Sequence, residues 1–244
     1  MTAAGDDWLG LLRRTADSVE AALAGFDRWQ DGGDRPDQYA LDQIADAAAL
    51  IVLDAAGVGV LSEESGLRCG AGGETVIVDP VDGSTNASRR IPHYCISLCV
   101  VDGETPVAAL VRHLVSGEEF TANAGGGANL DGRPISPSGC EHGARAVIGV
   151  SGRPGPELPV WQVRVLGSAA LDLCAVACGR LDAYLDLNSN HGVWDYAAGV
   201  LICAEAGAWT GEAEGRELFH LEHSRRLGPV AASTPRLAAR LVGA

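Results

Sequence analysis

The chain has 244 residues, 47% hydrophobic and 20% charged, which suits a globular protein with a sizeable core and excludes a disordered chain. Its formal charge of −14 repels phosphate backbones, so nucleic acid is not an expected partner, although a bound cation can invert that field inside one pocket. All 18 Lys-or-Arg positions are arginine, and the absence of lysine removes P-loop nucleotide sites, pyridoxal phosphate enzymes and protein kinases from consideration.

No run of about 20 apolar residues occurs, so no membrane span is expected. The stretch Met1–Arg14 places two acidic residues before its first basic one, unlike a secretory leader. The seven cysteines form no Cys-x-x-Cys pair, which points away from a disulfide framework or a zinc ribbon. Cys95/Cys99 and Cys174/Cys178 read as small buried groups, and a reducing cytoplasm is the expected compartment.

Trp8, Leu12, Thr15, Val19, Leu23 and Phe26 recur at helical spacing and predict a helix over 6–29, ended by the Asp31–Pro36 stretch. Leu41, Ile44, Ala45, Ala48, Val52 and Ala55 predict a second helix. A short apolar run, 57–61, reads as a strand that delivers Glu63 and Glu64. The β-branched run 74–79 reads as a buried strand stopped by Pro80. Strands at 95–101 and 107–111 flank Asp102-Gly103, a hairpin signal. A further strand and turn are expected over 118–129.

The polar segment 136–143 is the candidate boundary between an N-terminal half, 1–140, and a C-terminal half, 141–244. Beyond it, strands are predicted at 146–150, 163–166, 181–187 and 229–232, and helices at 169–178 and 194–206. A last helix follows Thr234-Pro235. The order of elements is that of a mixed α/β layered protein.

The chemistry concentrates in Asp79-Pro80-Val81-Asp82-Gly83-Ser84-Thr85-Asn86. Two carboxylates and the Val81 carbonyl can converge after the proline, an all-oxygen setting for a hard divalent cation. Gly83 permits close backbone approach, and Ser84 and Thr85 can cradle an anion. Read alone, such a segment is more often a solvated Asp-Gly turn. Two further signals accompany it. Glu63-Glu64 closes a short apolar run, and Trp194-Asp195 opens an apolar helix that runs into Glu205-Ala206-Gly207. Each has a plain structural explanation by itself, Asp195 as a carboxylate near a helix N-terminus.

Taken in this order, the three segments resemble the inositol monophosphatase family, whose pattern is Gly-Glu-Glu, then Asp-Pro-Ile-Asp-Gly-Thr-Thr-Asn, then Trp-Asp-x-Ala-Ala-Gly with a following Glu-Ala-Gly. The likeness extends from about Leu41 to Gly207. It implies the αβαβα sandwich of the sugar phosphatases and a site between the two halves. It further implies two or three Mg²⁺ ions held by Glu63, Asp79, the Val81 carbonyl, Asp82 and Asp195. By the same resemblance, Gly83, Ser84 and Thr85 bind phosphate, and Asp42 works with Ser84 to activate water. Ser168 and Ala169 of a Gly-Ser-Ala-Ala turn, with Asp82, Asp186 and Arg164, lie on the substrate side.

The implied reaction is hydrolysis of a small phosphorylated metabolite, inositol monophosphate first and histidinol phosphate second, by a homodimer without membrane or nucleic-acid partners. The sequence departs from the family at Ser62, where glycine is usual, at Ala87, where phenylalanine is frequent, and by two extra residues between Asp186 and Asp195. The family's basic residue near the first metal loop has no lysine counterpart here, and Arg35 is the candidate in its place. A haloacid dehalogenase-type phosphatase needs its aspartates two apart, whereas Asp79 and Asp82 are three apart. A homologue that binds a phosphorylated ligand without turnover is the reading of another class.

Overall fold

The structure is a computed structural model that describes residues 7–35, 38–154 and 158–242. Asp6 and Pro36, at the edges of the first predicted helix and its stop signal, lie outside the described residues. Six helices and thirteen strands are described: α1 (Trp8–Ala24), α2 (Ala40–Ala56), β1 (Gly59–Ser62), β2 (Gly66–Arg68), β3 (Glu74–Asp82), α3 (Ser84–Ser88), β4 (Cys95–Asp102), β5 (Thr105–His113), β6 (Glu119–Asn123), β7 (Gly127–Leu130), β8 (Arg133–Pro134), β9 (Val147–Ser151), β10 (Gln162–Arg164), α4 (Ala169–Ala177), β11 (Ala183–Asp186), α5 (Val193–Ala206), β12 (Trp209–Glu212), β13 (Pro229–Ala232) and α6 (Pro235–Val242).

The strands make two sheets, one of eight strands in the order β2-β1-β3-β4-β5-β6-β7-β8 and one of five in the order β10-β9-β11-β13-β12. Residues 135–146 run between them. Strand side chains alternate between faces, and here that alternation builds the layers. Val76, Val78, Ile96, Leu98, Val100, Ala108 and Leu110 face α1 and α2. Their neighbours Ile77, Cys95, Cys99, Ala109 and Val111 face α4 and α5. In the second sheet, Tyr184 and Ala231 face α4 and α5, while Ala183, Leu185, Val230 and Ala232 pack with Leu237 and Ala238 of α6. The result is helix, sheet, helix, sheet, helix. Val200, Leu201, Ile202 and Cys203 of α5 are all buried because both sides of that helix meet a sheet.

Two expectations need correction. The first helix ends at Ala24, not near residue 29; Gly25 closes it, and Phe26 accepts a hydrogen bond from the Trp29 indole N–H at 2.6 Å in the following loop. The third strand is not stopped by Pro80. It continues to Asp82 through a one-residue slip: Asp79 pairs with Ser97 and Asp82 with Cys95. Pro80 sits inside this bulge, where its missing N–H costs the ladder nothing. The edge strands β2, β8 and β12 carry little sequence periodicity and were not expected.

Candidate metal centre

Glu63, Asp79 and Asp195 come from the turn after β1, from β3 and from the first turn of α5. Each offers a carboxylate oxygen, and these oxygens lie within 4.8 Å of one another. Parallel pairing of β1 with β3 sets the first two side by side, and the Glu63 N–H donates to the Val78 carbonyl at 3.1 Å. Asp195 is held by the Gly192 N–H, which donates to Oδ2 at 2.7 Å, and by His191 Nδ1 at 3.2 Å from the same oxygen. His191 Nε2 in turn meets the Tyr184 hydroxyl at 2.9 Å. No motif singles out His191, a lone histidine in an irregular loop.

Asp82 is buried at the N-terminus of α4. Its Oδ2 accepts from Ser168 Oγ and from the Ala170 N–H, both at 2.7 Å. Ser168 also caps α4 by accepting from the Leu171 N–H at 3.4 Å. Asp79 accepts the Val81 N–H at 3.0 Å on Oδ1, while its buried Oδ2 has no partner. Asp42, in the first turn of α2, accepts the Tyr39 N–H at 2.8 Å on Oδ2, and its buried Oδ1 is likewise unpartnered. The structure shows no Asp42–Ser84 hydrogen bond among the described residues; the nearby hydroxyl contact is Tyr39 with Thr85 Oγ1 at 3.4 Å.

The electrostatics of this group are those of crowded, buried acids. Burial, then the neighbouring charges of Asp195 and Glu64, pushes Glu63 up to about 9. Burial and Glu63 raise Asp79 well above the usual carboxylate range. Burial brings Asp82 to about 7 against the opposing Ser168 hydrogen bond, and Asp42 to about 7 against the Tyr39 N–H. Burial alone would lower His191; Asp195, with Asp186 and Asp82 behind it, outweighs burial and raises the imidazole to about 9. Such a cluster fits a hard divalent cation: its donors are all oxygen, the buried Asp79 Oδ2 lacks a partner, and a cation removes the mutual repulsion.

The remaining expected residues divide. Gly83 adopts φ 93°, and a Cβ there would lie 3.0 Å from the His93 carbonyl and 3.1 Å from that of Gly167. It turns the chain into the short helix α3, whose first residues are Ser84 and Thr85. Asn86 donates to the carbonyls of His93 and Leu166, both at 2.8 Å, and so joins α3 to the turn carrying Ser168 and Ala169. Asp186 is buried, and its two oxygens accept the N–H groups of Asn188 and Asn190 at 2.9 and 3.0 Å. Its carboxylate organises the loop that holds the two extra residues. Arg164 is not brought to the cluster: it lines a separate cavity with His93, His113 and Arg180, and bonds to Gln162 Oε1 at 2.6 Å.

The two glutamates also part company. Glu63 joins the cluster, whereas Glu64 pairs with Arg35 and Gln38. A cavity of about 480 Å³ opens on the cluster, lined by Arg35, Gln38, Glu63 and Asp195, and also by His223 and Arg226, two residues from an irregular loop that no motif singled out. Glu205, from the Glu-Ala-Gly that follows α5's start, lies outside the cluster; it clamps the glycine-rich turn by accepting the Gly125 and Gly127 N–H groups, both at 2.8 Å.

The model of the inositol monophosphatase family matches residues 37–244. The chain belongs to the inositol monophosphatase family. A fructose-1,6-bisphosphatase/inositol-1-monophosphatase of Archaeoglobus fulgidus is 35% identical over 241 residues, covering 93% of this chain and 94% of that protein. An inositol-1-monophosphatase of Rhizobium meliloti is 38% identical over 153 residues, 57% of each chain. The solved structure of Mycobacterium tuberculosis SuhB superposes with a TM-score of 0.73 at 30% identity, covering 96% of this chain and 91% of that one. The five-layer sandwich is therefore the family fold, and membership makes the protein a phosphatase of this superfamily. No helix among the described residues is long and apolar enough to cross a membrane.

Proposed function

We propose that the protein is a Mg²⁺-dependent phosphomonoesterase acting on a small phosphorylated polyol, inositol monophosphate first. The observation that supports this most directly is the meeting of Glu63, Asp79 and Asp195 oxygens within 4.8 Å from three distant segments. Glu63, Asp79, the Val81 carbonyl, Asp82 and Asp195 would hold two or three Mg²⁺ ions. Bound there, the ions would acidify water and neutralise charge on phosphate and leaving alkoxide.

The chain's own residues supply the rest. Gly83, Ser84 and Thr85 receive the phosphate at the start of α3. Asp42, with its unpartnered Oδ1, takes the proton of the attacking water as a general base, and Ser84 orients that water. Ser168 and Ala169, beside Asp82, border the alcohol side of the substrate. The reaction needs no covalent phosphoenzyme, since positioning and charge stabilisation carry phosphoryl transfer.

A second substrate reading, a sugar bisphosphate, is favoured by the likeness to the fructose-1,6-bisphosphatase/inositol-1-monophosphatase of Archaeoglobus fulgidus and by the cationic Arg35 and Arg226 in the cavity wall. Phosphate release from inositol 1-phosphate, fructose 1,6-bisphosphate and histidinol phosphate, with Mg²⁺ and with EDTA, tests both. Turnover of none of them with Mg²⁺ present sinks the enzymatic reading and leaves a phospholigand-binding homologue. We also propose a cytoplasmic homodimer, for which exposed Ile91, Trp161 and Val165 offer apolar surface; light scattering that returns a monomer rejects the dimer.

A further inference from the structure

One loop, residues 218–227, ties the two ends of the carboxylate cluster together. His223 Nε2 lies 3.0 Å from the backbone carbonyl of Glu63, 160 positions earlier in the chain. A carbonyl oxygen only accepts, so Nε2 carries the proton in this contact. The imidazole rests against the indole of Trp194, with ring centroids 4.7 Å apart and planes tilted by 34°. Trp194 is buried and directly precedes Asp195. Arg226 completes the arrangement: its guanidinium carbon lies 4.9 Å from the same indole centroid, and Nη1 donates to the His223 carbonyl at 2.8 Å.

We propose that His223 is a positioning residue for the metal centre, fixing the Glu63 peptide to the Trp194–Asp195 turn so that the two carboxylates face one cation. The proposal rests on the metal reading of the cluster. Its physical basis is repulsion. Glu63 sits in a turn outside the strand ladder, held to β3 by the single Glu63 N–H to Val78 bond, and it faces Asp195 and Asp79. Ser62 and Glu64 on either side have side-chain partners of their own, but without the His223 contact the Glu63 carbonyl can swing away from like charge, and a cation must then draw it back. Because the His223 N–H holds the carbonyl of the same residue, the site is organised before the cation arrives. His223 itself touches no expected ligand oxygen of a carboxylate, so it acts through Glu63.

The test is Mn²⁺ binding to the full chain, read by electron paramagnetic resonance of the free ion. His223→Phe keeps a ring against Trp194 and removes the donor; His223→Gln keeps a donor N–H. We expect His223→Phe to bind Mn²⁺ about tenfold more weakly, the usual order for loss of a supporting contact, with its unfolding temperature in EDTA close to wild type. His223→Gln should stay close to wild type in affinity. A His223→Phe protein that binds Mn²⁺ as wild type does, or that loses thermal stability while keeping its affinity, overturns the proposal. If His223→Phe does not fold, Arg226→Ala carries the test, since it removes the bond that seats His223; unchanged affinity there overturns the proposal too. A wild-type chain that binds no Mn²⁺ overturns the metal reading itself, a result distinct from equal binding by wild type and variant.

Discussion

Asp79 and Asp82 stand three residues apart in β3 and yet share one face of the sheet, because the strand slips by one residue between them against Ser97 and Cys95. In a regular strand, residues three apart point to opposite sides. The bulge puts both carboxylates under α4 and α5 and leaves Val81 on the opposite face, packed with the α1/α2 layer.

Asp82→Asn is the direct test of that arrangement. The amide oxygen can still accept from Ser168 Oγ and the Ala170 N–H, so the fold should survive. One proposed anionic ligand is lost, and turnover should fall by at least about 100-fold. Circular dichroism and phosphate release measure the two quantities; near-normal turnover refutes the role of Asp82.

The metal-free protein should lose stability as pH rises. Glu63 is raised to about 9, Asp82 and Asp42 to about 7, and Asp79 also upward. A carboxyl raised in the folded state binds more protons folded than unfolded, so its contribution is complete below the ordinary carboxylate range and disappears as pH climbs through the folded value. His191, raised to about 9, acts in the same direction. Unfolding temperatures in EDTA should therefore fall steadily from about pH 5 to pH 9. Saturating Mg²⁺ should flatten the trend. A flat profile in EDTA contradicts the crowding of these acids.

Much of this centre was legible because its parts carry local signatures. The β-branched run into Asp79, the Asp-Gly turn at 82–83 and the apolar helix opened by Asp195 each follow from short-range chemistry, and the alternation along β3, β4 and β5 locates the core. What stayed hidden depends on long-range placement. His223 reaches Glu63 across 160 positions, and neither flanking segment has a period that announces it. The family resemblance puts Arg164 on the substrate side, whereas β10 carries it to another cavity. Pro80 read as a strand terminator because the bulge that accommodates it is visible only in the pairing with β4.

Gly83→Ala should uncouple the two halves of the site. At φ 93° a side chain is strained, and the new Cβ would press on the carbonyls of His93 and Gly167 and on Tyr94 Cβ, at 3.0 to 3.2 Å. Two of these are backbone atoms that cannot rotate aside. The expected loss is about 1–3 kcal/mol of stability, with a larger proportional fall in turnover, since Ser84, Thr85 and the Asn86 clasp all follow from this turn. Urea unfolding and phosphate release would separate the effects. A variant as stable and active as wild type would show that the turn tolerates the side chain.

Ser62, which replaces the family's usual glycine, has a partner of its own. Its hydroxyl donates to Asp46 Oδ1 at 2.5 Å, both residues are buried, and the Glu64 N–H donates back to Ser62 Oγ at 3.1 Å. Asp46 lies on α2, one turn beyond Asp42, so this pair pins the glutamate turn to the helix that carries the proposed base. Restoring the family's glycine, Ser62→Gly, leaves the Asp46 oxygen without its donor and should cost about 1–3 kcal/mol. In the double variant Ser62→Gly with Asp46→Ala, neither half of the pair remains to be left unsatisfied, and the combined loss should be smaller than the sum of the single losses. A cycle of urea unfolding free energies reads the coupling, expected at about 0.5–3 kcal/mol for residues in contact. Strict additivity would mean that Ser62 and Asp46 act independently and that their pair does not hold the glutamate turn.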